Sequence, residues 1–113
     1  MTEVRVAATP VRRRRGGSEG LFLAEVDGRP FVLCEMGEEA YAVDGYCPHN
    51  NARLWKQGSL ESDQRVLLCG AHGNRYDLHT GACVTNLTAD DPGSLAVFPA
   101  RREGEDFVIE FPD

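Results

Sequence analysis

Two short pairs, Cys47-Pro48-His49 and Cys69-Gly70-Ala71-His72, constrain this chain most, because together they offer two thiolates and two imidazoles to one metal centre. Each pair follows a stretch that reads as strand and sits among Gly, Pro and Asn, which is loop chemistry. A fold that uses both must bring two loops together across the 19 residues that separate His49 from Cys69. Four ligands of this kind suit a tetrahedral zinc ion or a two-iron cluster whose irons carry different ligands. The pairs alone leave both readings open.

Around the pairs the chain reads as short strands separated by turns. Leu21 to Val26 and Arg29 to Cys34 flank Asp27-Gly28, residue types that accept the positive φ a two-residue hairpin turn needs. Pro30 weakens the start of the second strand or places it at an edge. Ala40 to Asp44 reads as a third strand with Tyr41 and Val43 on one face, and Gly45 breaks it just before the first pair. Val66 to Leu68 leads into Cys69. Near the C-terminus Phe107, Ile109 and Phe111 alternate with Val108 and Glu110, the period of a half-buried strand, and Leu95 to Ala100 should pair with it across a turn around Glu103-Gly104. No segment keeps a helical period for long. With 113 residues, 42% hydrophobic and 27% charged, the expectation is one all-β domain over residues 1–113. Its architecture should be a small antiparallel sandwich or barrel, with residues 45–85 as a metal-carrying excursion.

The formal net charge of -6 hides an asymmetry. Residues 1–15 carry five arginines against Glu3, whereas residues 16–46 carry seven acids against Arg29 alone. An acidic body disfavours nucleic acid and favours docking to partners with basic patches. The Arg12-Arg13-Arg14-Arg15 run reads as a solvated basic turn or a partner-docking patch. Export through an arginine signal needs an apolar segment next, but Gly16 to Gly20 intervenes and the apolar stretch Leu21 to Ala24 ends at Glu25. That stretch is also too short to span a membrane, so a cytoplasmic location is expected.

Two of the four cysteines sit in pairs with histidine, which argues for metal binding in a reducing compartment rather than for disulfides. Cys34 and Cys83 read as buried small residues, and His79, with no second ligand beside it, as a surface turn residue.

The two loops resemble those of the Rieske iron-sulfur family. The first reads Cys47-Pro48-His49-Asn50-Asn51-Ala52-Arg53-Leu54, with Gly58 four residues on; the second reads Cys69-Gly70-Ala71-His72-Gly73-Asn74-Arg75-Tyr76-Asp77, followed by Thr80-Gly81. The preceding hairpin, the strand into the first loop and the closing hairpin fall where that fold expects them. The resemblance implies one [2Fe-2S] cluster, with Cys47 and Cys69 on one iron and His49 and His72 on the other. Two ferric ions, two sulfides and two thiolates sum to zero charge, whereas four thiolates would give -2, so an added electron costs less and the potential is higher. The histidines can exchange a proton near neutral pH, which couples potential to pH. A structural zinc site would leave the Gly after the second His, the Tyr76-Asp77 pair and the Thr-Gly turn unexplained.

Departures from the family's patterns narrow the subtype. High-potential members carry an extra cysteine in each loop, joined by a disulfide, where this chain has Ala52 and Ala71. They also place a serine hydroxyl donor where this chain has Asn74, while the tyrosine that supports a cysteine sulfur in them is matched by Tyr76. Losing one donor and keeping the other implies a low to intermediate potential. The stretch after Cys83 lacks the usual Gly-Pro of the covering loop, and Pro92 is the candidate to serve in its place.

Size, acidity and the missing clamp point to a soluble ferredoxin that shuttles single electrons from a flavin-containing reductase to the terminal oxygenase of a ring-hydroxylating system. It is expected to be monomeric, with no turnover of its own and no nucleic-acid or membrane partner. A Rieske oxygenase subunit would need a second domain. The alternatives are the small subunit of an assimilatory nitrite reductase, in which cluster ligands are often degenerate, and a structural zinc-binding module.

Overall fold

The computed structural model describes residues 1–13, 17–70, 73–87 and 91–112. In chain order its elements are β1 (Thr2–Ala7), β2 (Thr9–Pro10), β3 (Leu21–Val26), β4 (Arg29–Met36), β5 (Glu39–Asp44), the one-turn helix α1 (Leu54–Gln57), β6 (Gly58–Glu61), β7 (Val66–Cys69), β8 (Asn74–Asp77), β9 (Cys83–Thr85), β10 (Val97–Glu103) and β11 (Asp106–Phe111). They form a seven-stranded antiparallel sheet ordered β1-β11-β10-β5-β4-β3-β2 and a four-stranded antiparallel sheet ordered β6-β7-β8-β9. The all-β expectation holds, and the fold is that of curled antiparallel sheets.

The central hairpin forms as its turn residues require. Asp27 and Gly28 take φ of 52° and 80°, and the turn pairs Val26 with Arg29. Pro30 does not put β4 at an edge: the strand lies between β3 and β5. The Val26–Arg29 pair closes the turn with hydrogen bonds, so the next pair, Glu25 with Pro30, needs none between its strands. On its other side Pro30 serves as an acceptor, taking a 3.0 Å bond from the Gly45 amide. The missing N–H therefore costs little.

Alternation along these strands feeds two apolar clusters. Leu33, Ala40 and Ala42 point to one side, where they meet Val6, Ala24, Phe107 and Ile109. Val32, Cys34 and Val43 point to the other, where they meet Leu54, Leu67, Tyr76, Leu78, Leu95 and both loop cysteines, with Tyr41 packed alongside. Each large side chain so buried contributes roughly 1.5–3 kcal/mol of transfer free energy. The second cluster lies between the two sheets, so the smaller sheet is held to the larger by the same residues that surround Cys47 and Cys69. β11 forms where the sequence places it, but it is not half-buried by alternation: Phe107, Val108 and Ile109 are all buried, since β11 lies inside the sheet between β1 and β10, and Phe111 is half-buried.

Candidate metal centre

The first loop leaves β5 at Gly45, where any side chain would strike the Pro30 carbonyl and the Trp55 ring, each 2.9 Å from an ideal Cβ. It then folds back on itself. The Cys47 amide donates to the Ala52 carbonyl at 2.8 Å and the Asn51 amide to the Cys47 carbonyl at 2.9 Å, with Asn51 at φ 59° and the Asn50 carboxamide accepting from Ala52 N–H at 3.1 Å. A Tyr46–Arg53 bridge and a 2.8 Å bond from the Leu54 amide to the Gly45 carbonyl close the loop. The result buries Cys47 and leaves His49 half-buried beside the exposed Asn50 and Asn51.

The second loop begins at the end of β7, which pairs Cys69 with Gly58 on one side and with Asn74 on the other. The Gly70 amide donates to the Gln57 carbonyl at 2.7 Å, an approach that a Cβ at Gly70 would block at the same 2.7 Å. The Gly73 amide closes the turn onto the Cys69 carbonyl at 2.8 Å, with Gly73 at φ 78°. His72 and Ala71, expected as ligand and as the site of the missing clamp, lie outside the described residues. Helix α1 supports both loops: its Leu54 ends the first and its Gln57 holds the second.

Cys47 and Cys69 come together with both residues 1% exposed and neither in a disulfide. The Cys47 thiol is pulled down to about 5, first by a hydrogen bond from Cys69 and then, against the opposing effect of burial, by the His49 amide, the Tyr76 hydroxyl and the Asn50 amide. A thiolate so stabilised is the form that binds metal. Cys34, buried but without such donors, is pushed up to about 12 by desolvation alone. Two paired sulfurs, one already favouring its anion, fit the thiolate half of an iron-sulfur site. Among the described residues no group of three or more His, Cys, Asp or Glu side chains converges where a single ion would sit.

Tyr76 is 1% exposed, and its hydroxyl lies 3.9 Å from Cys47 Sγ while donating to the Pro92 carbonyl at 2.7 Å. Burial is the main reason its phenol is pushed above the usual range. The Pro92 segment also covers the first loop, since a Cβ on Gly93 would lie 3.1 Å from Pro48. Asn74 is 1% exposed and accepts the Leu87 amide at 2.9 Å through Oδ1. The Asp77 and Thr80-Gly81 signals turn out to build a turn. Asp77 Oδ1 accepts the His79 and Thr80 amides at 2.6 and 3.0 Å, which holds its carboxyl below the usual range, and Gly81 allows the Leu95 carbonyl within 2.0 Å of where a Cβ would stand.

Other readings fare unevenly. Cys34 is fully buried, but Cys83 is only half-buried on the edge strand β9, with its thiol on the Thr85 carbonyl at 3.4 Å. His79 is exposed in its turn. Of the arginine run, Arg12 is exposed while Arg13 turns inward and donates to the Gly58 carbonyl; Arg14 and Arg15 lie outside the described residues. Sequence reasoning missed Arg13, Gln57 and Leu87 as supports, because each acts across the fold and no local pattern marks it.

Comparison with known proteins bears on the whole arrangement. The family model for the Rieske [2Fe-2S] domain matches residues 7–99. The 3-phenylpropionate/cinnamic acid dioxygenase ferredoxin subunits of Shigella boydii serotype 4 and Escherichia coli K12 are each 36% identical over 89 residues, covering 78% of this chain and 79% of the relative. Among solved structures, the ferredoxin of carbazole 1,9a-dioxygenase from Nocardioides aromaticivorans IC177 superposes with a TM-score of 0.69 at 26% identity, over 96% of this chain and 97% of that one. A protein assigned as a nitrite reductase NADPH small subunit reaches a TM-score of 0.69 at 14% identity, over 98% of this chain and 100% of that one, a likeness of fold alone.

Proposed function

This chain belongs to the Rieske [2Fe-2S] domain family, and we propose that within it the protein is a carrier of single electrons, the ferredoxin of an oxygenase system. The observation that carries this reading is the buried Cys47–Cys69 thiol pair, supplied by two loops that β5, α1 and β7 bring together. Cys47 and Cys69 would hold one iron, and His49 and His72 the other. When bound, the cluster supplies reversible one-electron chemistry at a potential raised by its neutral imidazole ligands.

The chain's own residues prepare the site for that role. Backbone amides of His49 and Asn50 and the Cys69 thiol stabilise negative charge on Cys47. Tyr76 and Pro92 tie the covering segment to β8, which keeps water from the thiol side. The tip of the first loop, by contrast, is exposed at Asn50 and Asn51, and Leu87, 67% exposed, packs near Gly73 of the second loop. That combination of dry thiols and an open, partly apolar rim suits brief contact with a partner.

A flavin-containing reductase is the donor in this reading and a terminal oxygenase the acceptor, with the carrier a cytoplasmic monomer that turns over no substrate itself. Residues 45–85 act as the cluster-binding part of one domain spanning 1–113. No helix among the described residues is long and apolar enough to cross a membrane. Stopped-flow mixing with such a reductase and oxygenase tests the reading. Reduction by the first and reoxidation by the second, slowed by salt that screens the acidic surface, is the expected result. Substrate oxidation by this protein alone, or failure of the loaded protein to accept an electron, would overturn it.

A further inference from the structure

The Asn74 carboxamide has one end satisfied and the other idle. Its Oδ1 accepts the Leu87 amide at 2.9 Å, and since an N–H can only donate to oxygen, this contact fixes which end is nitrogen. Nδ2, buried with the rest of the residue, has no acceptor among the described residues. A buried donor without an acceptor is costly, so a chain that keeps one invites the question of what it meets when the site is filled.

The register says which way this side chain faces. Asn74 pairs directly with Cys69, and directly opposed residues of a ladder point to the same face. Tyr76, two residues on, shares that face, and its hydroxyl lies 3.9 Å from Cys47 Sγ. Of the two polar side chains described on the thiol face, Tyr76 gives its single proton chiefly to the Pro92 carbonyl at 2.7 Å, with Cys47 Sγ farther off at 3.9 Å. Asn74 Nδ2 lies near enough to the Tyr76 hydroxyl to lower that phenol, yet it makes no hydrogen bond of ordinary geometry among the described residues, so its amide hydrogens are open to a better acceptor. A bound cluster would supply acceptors of one kind beside these cysteines, namely sulfurs: thiolate and sulfide.

Resting on the cluster-carrier reading above, we propose that Asn74 Nδ2 donates a hydrogen bond to a sulfur of the loaded centre, making Asn74 the side-chain residue that positions a proton against the developing negative charge. The sequence reading counts Asn74 as the loss of a hydroxyl donor. The buried amide reverses that sign: the donor is present, carried by a longer side chain anchored at its far end by Leu87. A hydrogen bond to sulfur strengthens as the centre gains an electron, so this donor raises the midpoint potential.

Two measurements on the loaded protein test this. In the parent protein with 15N-labelled asparagine side chains, pulsed paramagnetic resonance of the reduced state should show a nitrogen coupling that disappears in Asn74→Leu. Voltammetry at fixed pH should show a downward shift for Asn74→Leu, with the absorption spectrum of the cluster retained, and recovery of most of that shift in Asn74→Ser. Absence of the coupling in the parent, or a potential in Asn74→Leu equal to that of the parent, overturns the proposal. Neither result touches the carrier reading, which fails instead if the parent protein holds no cluster.

Discussion

Among the described residues, the seven-stranded sheet carries an apolar cluster of its own, whereas the buried apolar residues of the four-stranded sheet belong to a cluster shared with the larger one. The contrast extends to the surface. β1, β10 and β11 are laced by ion pairs from Arg5 to Glu103 and Asp106 and from Arg101 to Glu3 and Glu103, with Arg102 reaching Glu35 on β4. Strands β6 to β9 are only three or four residues long, joined by the Arg75–Glu61 ion pair at 2.7 Å and by backbone bonds to their connections, such as Leu78 to Arg65 and Leu95 to Gly81, both near 2.9 Å or shorter. A part of the molecule with so little packing of its own gains most from a bound cluster, because metal binding free energy becomes folding free energy where the ligands lie. The larger sheet is scaffold and the smaller one is completed by its cofactor.

The largest expected effect separates the two loop cysteines from the two that pack near them. Cys47→Ser or Cys69→Ser should abolish cluster assembly, measured as iron and sulfide per chain, while Cys34→Ala, in the apolar cluster between the sheets, and Cys83→Ala, at the edge of the smaller, should keep it. Loss of the cluster on replacing Cys34 would show that the loop pair does not hold the site without that buried thiol.

Removing the cluster should next divide the sheets dynamically. In the chelated apoprotein, amides of β6 to β9 should lose protection against hydrogen exchange by more than about tenfold, equivalent to more than about 1.4 kcal/mol, while β3 to β5, β10 and β11 keep theirs. Equal loss in both sheets would mean that they open as one unit.

Core substitutions sharpen the comparison further. Phe107→Ala, in the cluster confined to the larger sheet, should cost about 3–5 kcal/mol by denaturant unfolding and leave the visible spectrum unchanged. Leu67→Ala, which stands between the sheets opposite Tyr76, should cost about 2–5 kcal/mol and also speed cluster loss.

The smallest effect concerns acid. Asp77 has its carboxyl lowered below 3.8 by the Thr80 and His79 amides. A depressed folded-state value means the stabilisation is complete above the unfolded value and disappears as pH falls through the folded one. Asp77→Asn should therefore lower the unfolding midpoint slightly at neutral pH and little in acid, flattening its decline below about pH 4. An unaltered acid slope would assign the decline to other carboxylates.

What could be read from the sequence follows the same division. The hairpin at Asp27-Gly28, the strands β5 and β11 and the loop turns around Cys47 and Cys69 are local signals, and they appear where expected, while His72 lies outside the described residues. Contacts that join distant positions left no such trace. β1 pairs with β11 from Thr2 opposite Phe111, and its Val4 and Val6 alternate over too short a stretch to announce a strand. Helix α1 is a single turn, too short for a period to show, though it supports both loops. Pro92 could be singled out as a candidate cover, but only the Tyr76 bond and the contact of its neighbour Gly93 with Pro48 show how it covers. Asn74 was legible as a position that matters, but which end of its amide is held was not, because that depends on the Leu87 amide across the fold.

Paramagnetic resonance of the reduced, iron-loaded protein, combined with metal and sulfide analysis, tests the central claim most directly. The account predicts two irons and two labile sulfides per chain and a rhombic signal of low average g, the mark of mixed thiolate and imidazole ligation in a [2Fe-2S] centre. A folded, colourless protein holding stoichiometric zinc, or a signal typical of four thiolate ligands, would contradict it.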